Sequence, residues 1–278
     1  MMTTLIIAQL TINETRRRHI MWVALIMGLL FLAVFGLGFS DIQADMDQLN
    51  YDPARQQMLA SLMLMAGLYA NNFLIVMMAV LTSVTAISSE IDNYTVETLL
   101  TKPVRRWEIV LGKWMGFSLM LMIYTVIMTT ATMLIVYRQS GHVAENILAG
   151  IGLIMLEGLV VLSLTIAGGT RLSSLANGVL AFMLYGVAFV GGWVEQIGSL
   201  LRNETAVDIG IASSLLMPSE VLWKKAILLL QPESGSSNFA ATPFMVSSQP
   251  SNLMVLYAAG YVALLLLLAL WSFSRRDL

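Results

Sequence analysis

Long apolar runs alternate with shorter polar segments along most of this chain. Because a helix needs about 20 mostly apolar residues to cross a bilayer, each run of that length predicts one membrane-spanning helix. The second run can extend back to Ala60 as a long, tilted helix. The pattern predicts an all-α integral membrane protein whose residues 1–278 form a single transmembrane domain. Its six transmembrane helices are predicted at Ile20–Phe39, Tyr69–Ser88, Trp114–Tyr137, Ile147–Gly169, Leu175–Val194 and Leu253–Trp271.

The polar segments between the runs differ in length and character. Residues 1–19 place apolar side chains ahead of a basic cluster, which predicts an interfacial helix on the inner membrane surface. Residues 195–252 form a long predicted extracytoplasmic loop between spans five and six. Within it, Ser219–Leu230 has helical spacing between Pro218 and Pro232, but it is too short to cross a bilayer.

The basic residues predict how the chain is oriented. Ten of the fifteen lysines and arginines flank the spans on one side. Because cytoplasmic loops carry an excess of lysine and arginine, this side is predicted to be cytoplasmic, with both termini on it. We expect a multi-pass protein of the plasma or inner cell membrane. The ten residues are Arg16, Arg17, Arg18, Lys102, Arg105, Arg106, Lys113, Arg171, Arg275 and Arg276.

Composition supports a chain that the lipid bilayer solvates. It is 58% hydrophobic and only 12% charged, whereas soluble domains are about 25% charged. The net charge of −2 argues against a nucleic-acid partner. With no cysteine, and with His19 and His142 far apart in sequence, no metal site is expected.

No catalytic motif is found in the sequence. The Gly112-Lys113 pair lacks the upstream glycine and the following serine or threonine of a phosphate-binding loop. The zinc-protease and hydrolase signatures are also missing. We therefore expect no catalytic or cofactor-binding residue in this chain, and no ATP hydrolysis by it.

The segment 89–113, between spans two and three, combines apolar and acidic residues and is predicted to bend once. Glu90–Leu100 contains no glycine or proline, whereas Pro103 interrupts helix and suits the first turn of a new one. A helix from about Val104 is expected to continue into span three. The pattern predicts a helix–bend–helix elbow for this segment. It either docks a partner or is an ordinary amphipathic loop held by lipid.

The second half of this segment has features of a membrane surface. Trp107 is expected at headgroup level, with Arg105, Arg106 and Lys113 facing anionic lipid. Gly112 and Gly116 form a small-xxx-small pair, which predicts close packing against another helix.

The same segment resembles the permease subunits of type-2 ABC exporters, the ABC-2 family. That family has an acidic residue, then G/N-x-T-(L/V)-E-x-L-L, then P-V-x-R and E-I-x-x-G-K. Tyr94 replaces the glycine that usually precedes the threonine, with Asn93 beside it. The matching residues are Glu90, Asn93, Thr95, Val96, Glu97, Leu99, Leu100, Pro103, Val104, Arg106, Glu108, Ile109, Gly112 and Lys113.

The resemblance implies an ABC-2 permease-like bundle that exports a substrate using ATP hydrolysed elsewhere. A separate ABC ATP-binding subunit would bind ATP and Mg²⁺, and a second permease subunit, identical or different, would complete the dimer. The segment 89–113 would then be the coupling loop. The residues expected at the ATPase-coupling interface are Glu90, Ile91, Asn93, Tyr94, Thr95, Glu97, Leu100, Pro103 and Arg106.

Glu157 lies near the middle of the fourth predicted span. A carboxylate there costs about 2.5–3.5 kcal/mol on insertion scales, so it is expected to face protein or water. It is either part of a transport pathway or a structural group bonded to a serine, threonine or asparagine of a neighbouring helix, and the structural role is favoured.

Two other function classes remain open. A self-sufficient secondary transporter would show broken helices and paired ionisable groups at mid-membrane. A non-transporting membrane scaffold would use the elbow only to recruit a partner. The sequence shows one central carboxylate and no internal repeat, which argues against the secondary transporter.

Overall fold

A computed structural model describes residues 2–17, 19–49, 51–88, 105–231 and 250–275. Regular structure in these ranges is entirely helical. The helices are α1 (Met2–Arg17), α2 (Ile20–Gln48), α3 (Pro53–Ser83), α4 (Arg106–Ser140), α5 (Ile147–Gly169), α6 (Ser174–Leu200), α7 (Glu204–Leu216), α8 (Ser219–Leu230) and α9 (Asn252–Ser274).

Six helices, α2 to α6 and α9, are long and apolar enough to cross a membrane. They correspond one to one with the six predicted runs, which confirms the six-span fold. The predicted bounds of α5 are those observed, whereas α2, α3 and α4 are longer than predicted. Arg106 begins α4, close to the helix start expected at about Val104, and Pro53 begins α3, ahead of the proposed extension to Ala60.

The core lies between α3, α4 and α5, which are the most buried of the spans. Large side chains such as Ile75, Ile154 and Leu162 are almost completely buried there. In contrast, α2 and α9 expose most of their apolar surface, as expected for helices that contact lipid or another subunit.

The bundle has two ends with different contents. At the α1 end, the starts of α4 and α6 lie beside the ends of α3, α5 and α9. Ser88, after α3, contacts Ser174 at the start of α6, and Thr170, after α5, contacts Ser272 near the end of α9. The opposite end, the α8 end, holds the connection from α4 to α5. There the backbone N–H of Glu145 donates to the carbonyl of Leu230 at 3.3 Å.

The region predicted as a loop after span five contains two helices. The predicted helix Ser219–Leu230 is observed as α8, but α6 continues to Leu200 and α7 follows it. Taken together, α7 and α8 are also long and apolar enough to cross a membrane, but they are bent by 103° with respect to each other. Gly191 and Gly210 allow α7 to pack closely against α6, because a Cβ at either position would collide with the other helix.

Candidate functional site

The expected coupling interface lies mostly outside the described residues. Of its nine residues, only Arg106 is described, and it begins α4. The structure describes the helices on both sides of this gap, α3 with the turn after it and the start of α4. The other eight are Glu90, Ile91, Asn93, Tyr94, Thr95, Glu97, Leu100 and Pro103.

The start of α4 is bound to α1 through Glu108. One carboxylate oxygen of Glu108 accepts the backbone N–H of Arg105 at 3.0 Å, which caps the first turn of α4. The other oxygen accepts the hydroxyl of Thr3, on α1, at 2.9 Å. A single carboxylate therefore fixes both the first turn of α4 and the position of α1.

Two glycines of α4 allow α1 to lie directly on it. A Cβ at Gly112 would be 2.7 Å from the Cβ of Ile7 and 2.9 Å from the backbone oxygen of Thr4. A Cβ at Gly116 would be 2.9 Å from the backbone oxygen of Ala8. These distances leave no room for a side chain, so the close packing expected of the glycine pair is found, and its partner is α1.

Lys113 connects the start of α4 to the end of α3. It is buried, and its ammonium group donates to the backbone carbonyl of Ala86, just after α3, at 2.6 Å. The expectation that Lys113 faces lipid was therefore wrong. Carbonyls after the last turn of a helix lack helical donors and carry partial negative charge, so a buried lysine is stabilised there. In contrast, Trp107 is 40% exposed, which is compatible with a position at headgroup level.

The end of α3 is also attached to α5 and α6. The side-chain amide of Asn177, on α6, donates to the carbonyl of Val84 at 3.3 Å and to that of Thr165, on α5, at 2.7 Å. The hydroxyls of Ser88 and Ser174 lie 2.7 Å apart. The residues on both sides of segment 89–104 are therefore hydrogen-bonded to other helices of the bundle. A displacement of that segment would act on α1, α3, α4 and α6 through these bonds.

Glu157 lies in the centre of the bundle and is 1% exposed. One of its oxygens accepts a hydrogen bond from the side-chain amide of Asn72, on α3, at 2.9 Å. The neighbouring Asn71 donates to the hydroxyl of Thr129, on α4, at 3.2 Å. Glu157 thus makes the contact with a neighbouring asparagine that its structural role requires. Its role in a transport pathway stays a prediction.

Replacing Glu157 with glutamine is expected to leave the fold intact. Glutamine retains the shape of the side chain and an oxygen that accepts the Asn72 bond, so the loss should stay within about 1 kcal/mol. Glu157→Lys would place a cation in the core and should prevent folding. The measurement is the yield of monodisperse protein on size-exclusion chromatography for both variants, and the thermal unfolding of detergent-solubilised Glu157→Gln beside the parent protein. A Glu157→Gln protein that fails to fold, as Glu157→Lys should, would contradict the structural role in which a neutral side chain suffices.

The sequence interpretation missed a second polar cluster, where α8 meets α6. Lys224, on α8, is buried, and its ammonium group contacts a carboxylate oxygen of Glu195, on α6, at 2.8 Å. It also donates to the backbone carbonyl of Gly192 at 3.2 Å. Glu220 lies one turn before Lys224 and is buried as well. The available signal was a glutamate and a lysine four residues apart, Glu220 and Lys224, on a short helix with many apolar residues.

Comparison with known proteins agrees with the resemblance seen in the sequence. A family model described as "ABC-2 family transporter protein" matches residues 5–278, which is nearly the whole chain. No curated protein matches this chain.

Proposed function

Because the chain belongs to the ABC-2 family of transporter proteins, we propose that it is the membrane-spanning permease subunit of an ATP-driven exporter. Six helices long enough to cross a membrane make it a multi-pass membrane protein with a role in transport. In this proposal a separate ATP-binding subunit binds and hydrolyses ATP, and the present chain provides the path across the bilayer.

The observation that carries this proposal is the clamped start of α4. Glu108, Gly112 and Lys113 attach it to α1 and to the end of α3 within two helical turns. A partner that held the segment 89–104 would therefore move helices rather than a loose loop. Closing of the ATP-binding subunits would rotate this end of the bundle and change its access from one side to the other.

The proposed orientation places the α1 end of the bundle in the cytoplasm. This end carries Arg16, Arg17, Arg105, Arg106 and Arg171 in the described residues. ATP is available in the cytoplasm, so the coupling segment and the basic residues would face the same compartment. The membrane would be the plasma or inner cell membrane.

A second permease subunit, identical or different, is part of the proposal. The helices α2, α6 and α9 leave most of their membrane-spanning surface uncovered within one chain. Lipid can cover such surfaces, and so can a second subunit that completes a pathway between two halves.

The charge reversal Glu97→Lys tests the coupling. If the Glu97 carboxylate binds in a groove of the ATP-binding subunit, a lysine at this position would face groups that complement a negative charge and would be repelled. Co-isolation of that subunit with the tagged chain should then fall by roughly tenfold or more. Alternatively, the complex should still form but hydrolyse ATP without transport. The chain itself should insert and fold normally, as judged by yield and size-exclusion chromatography in mild detergent.

The matched control is Asp208→Lys, an equal charge reversal at an exposed position of α7. It should leave both co-isolation and transport unchanged. If the Glu97→Lys protein transports at the wild-type rate and co-isolates the wild-type amount of the ATP-binding subunit, the segment has no coupling role.

A further inference from the structure

A cavity of about 560 Å³ lies between α3, α6 and α8, beside the central Glu157–Asn72 pair. Small-molecule sites usually measure about 300–1,000 Å³, so its size suits a compact organic molecule. Phe73 lines the cavity and is 48% exposed, so part of the cavity wall reaches the outer surface of the bundle. A ligand could therefore enter sideways from the membrane.

Aromatic rings form most of the wall of this cavity. Tyr69 and Trp223 meet edge to face with their ring centroids 5.6 Å apart, and Tyr69 and Phe189 lie 6.0 Å apart. The indole N–H of Trp193 donates to the hydroxyl of Tyr69 at 3.3 Å, which holds the Tyr69 ring in place. Phe73, Phe182 and Tyr185 complete the aromatic lining. The Tyr69 ring is therefore held in the wall by its contacts with Trp193, Phe189 and Trp223.

One acidic side chain lies in the wall of the cavity. Glu220 lines the cavity and is only 8% exposed. Within the described part of the chain, no basic nitrogen lies within 4 Å of its carboxylate, because the nearby Lys224 pairs with Glu195. Asn72 also lines the cavity, and its side-chain amide donates to Glu157. The Glu220 carboxyl group therefore lies in the cavity wall without a direct ion pair among the described residues.

We propose that this cavity binds a lipophilic organic cation, such as a quaternary ammonium or phosphonium compound, as the cargo of the transporter. Rings attract such cations through their negative faces, most strongly where water is excluded, and Glu220 supplies the opposite charge. Bulky apolar substituents on the cation would fill the aromatic wall. The identification as cargo rests on the proposed function, whereas the binding site rests on the cavity alone.

The cavity disfavours the two other obvious classes of ligand. An anion of the same shape would meet the Glu220 carboxylate and the negative faces of the rings. A neutral apolar molecule would leave the Glu220 carboxyl group buried without a partner, which is unfavourable. Charge on the ligand is thus the property to vary in a test.

Tetraphenylphosphonium and tetraphenylborate form a suitable pair of probes, since they have nearly the same shape and opposite charge. Binding is measured by equilibrium dialysis with the full-length chain in lipid nanodiscs, together with any subunits that co-purify. The saturable part of the binding is compared, because both ions also partition into lipid. We expect saturable binding of tetraphenylphosphonium at one site per chain, and none of tetraphenylborate.

Two variants locate the site. Gly186 lines the cavity, and a Cβ there meets no atom within 4 Å, so Gly186→Leu fills the cavity without a collision at its base. It should abolish saturable binding. Gly260→Leu is the matched control, since Gly260 also has open space around it but lies on α9, away from the cavity. Glu220→Gln keeps the shape and removes the charge, and should weaken binding roughly tenfold or more.

Equal binding of both probes, or saturable binding that survives Gly186→Leu, would overturn the proposed site. Variants are compared only if they elute as the wild type on size exclusion, and Glu220→Gln tests the site independently of any effect of leucine on folding. Failure of the proposed function would appear elsewhere, as a chain without an ATP-binding partner. If tetraphenylphosphonium still bound in that case, the site would stand and its role as cargo site of an ABC exporter would fall.

Discussion

Glu195→Leu is expected to destabilise the bundle strongly while still allowing it to fold. It removes the carboxylate that contacts the Lys224 ammonium at 2.8 Å and leaves that cation buried between α6 and α8. Breaking one partner of a buried ion pair costs about 3–5 kcal/mol, because the remaining charge is neither hydrated nor neutralised. The midpoint of thermal unfolding, followed by tryptophan fluorescence in mild detergent, should fall by on the order of 10 °C.

The double variant Glu195→Leu/Lys224→Met separates charge from packing. It removes both charges and keeps apolar volume, so it should recover most of the lost stability, since apolar replacements of buried pairs are often neutral. Lys225→Met is the control at the neighbouring lysine, which donates to the neutral oxygens of Pro250 and Asn252. It should cost about 1 kcal/mol. A double variant no more stable than Glu195→Leu would show that packing, rather than the unpaired charge, causes the loss.

Gly112→Val is expected to displace α1 from α4. The new side chain would collide with the Cβ of Ile7 and the backbone oxygen of Thr4, and a backbone atom cannot move aside without shifting the helix. Overpacking of this kind costs about 1–3 kcal/mol. The fraction of molecules with α1 undocked should therefore rise by roughly five- to 150-fold. Coupling between segment 89–104 and the bundle should weaken accordingly.

A cysteine placed in α1 can report this displacement, because the chain has no native cysteine. Ala8 is buried against α4, so Ala8→Cys should react slowly with a maleimide reagent in the parent protein and much faster with Gly112→Val. Gly152→Val is the control, since a Cβ at Gly152 meets no atom within 4 Å. Equal protection of Ala8→Cys in all three backgrounds would mean that α1 does not dock through Gly112.

The six spans could be predicted because hydrophobic length is a local property of the sequence. The predicted bounds of α5 are correct because Asn146 and the pair Gly169-Thr170 interrupt the apolar run on either side. The start of α4 at Arg106 agrees with the helix expected from about Val104. The start of α3 at Pro53 lies before even the proposed extension to Ala60, since a polar turn that continues a helix carries no hydrophobic signal. Gly141, with φ of 69°, ends α4 in the left-handed region that favours glycine. Proline residues on both sides made α8 predictable in spite of its short length.

Features that depend on contacts between distant residues could not be predicted. The glycine pair Gly112 and Gly116 indicated a closely packed helix, but nothing in the sequence identified α1 as its partner. Lys113 has the spacing of a basic anchor at a membrane surface, and only the position of the Ala86 carbonyl explains its burial. The Glu195–Lys224 pair joins residues from two helices. Lys224 lies in the predicted helix Ser219–Leu230 and Glu195 just after the predicted span five, but nothing in the sequence places these two elements against each other.

The most direct test of the central claim is photo-cross-linking from the proposed coupling segment. A photoreactive amino acid replaces Tyr94 in the native host, and the adducts of the tagged chain are identified by mass spectrometry. A second protein carries the same group at Leu148, which is 88% exposed at the α8 end of the bundle. We expect an adduct with an ATP-binding subunit from position 94 and none from position 148. A chain that transports normally, yet yields no such adduct from position 94 or its neighbours in the segment, would contradict the account.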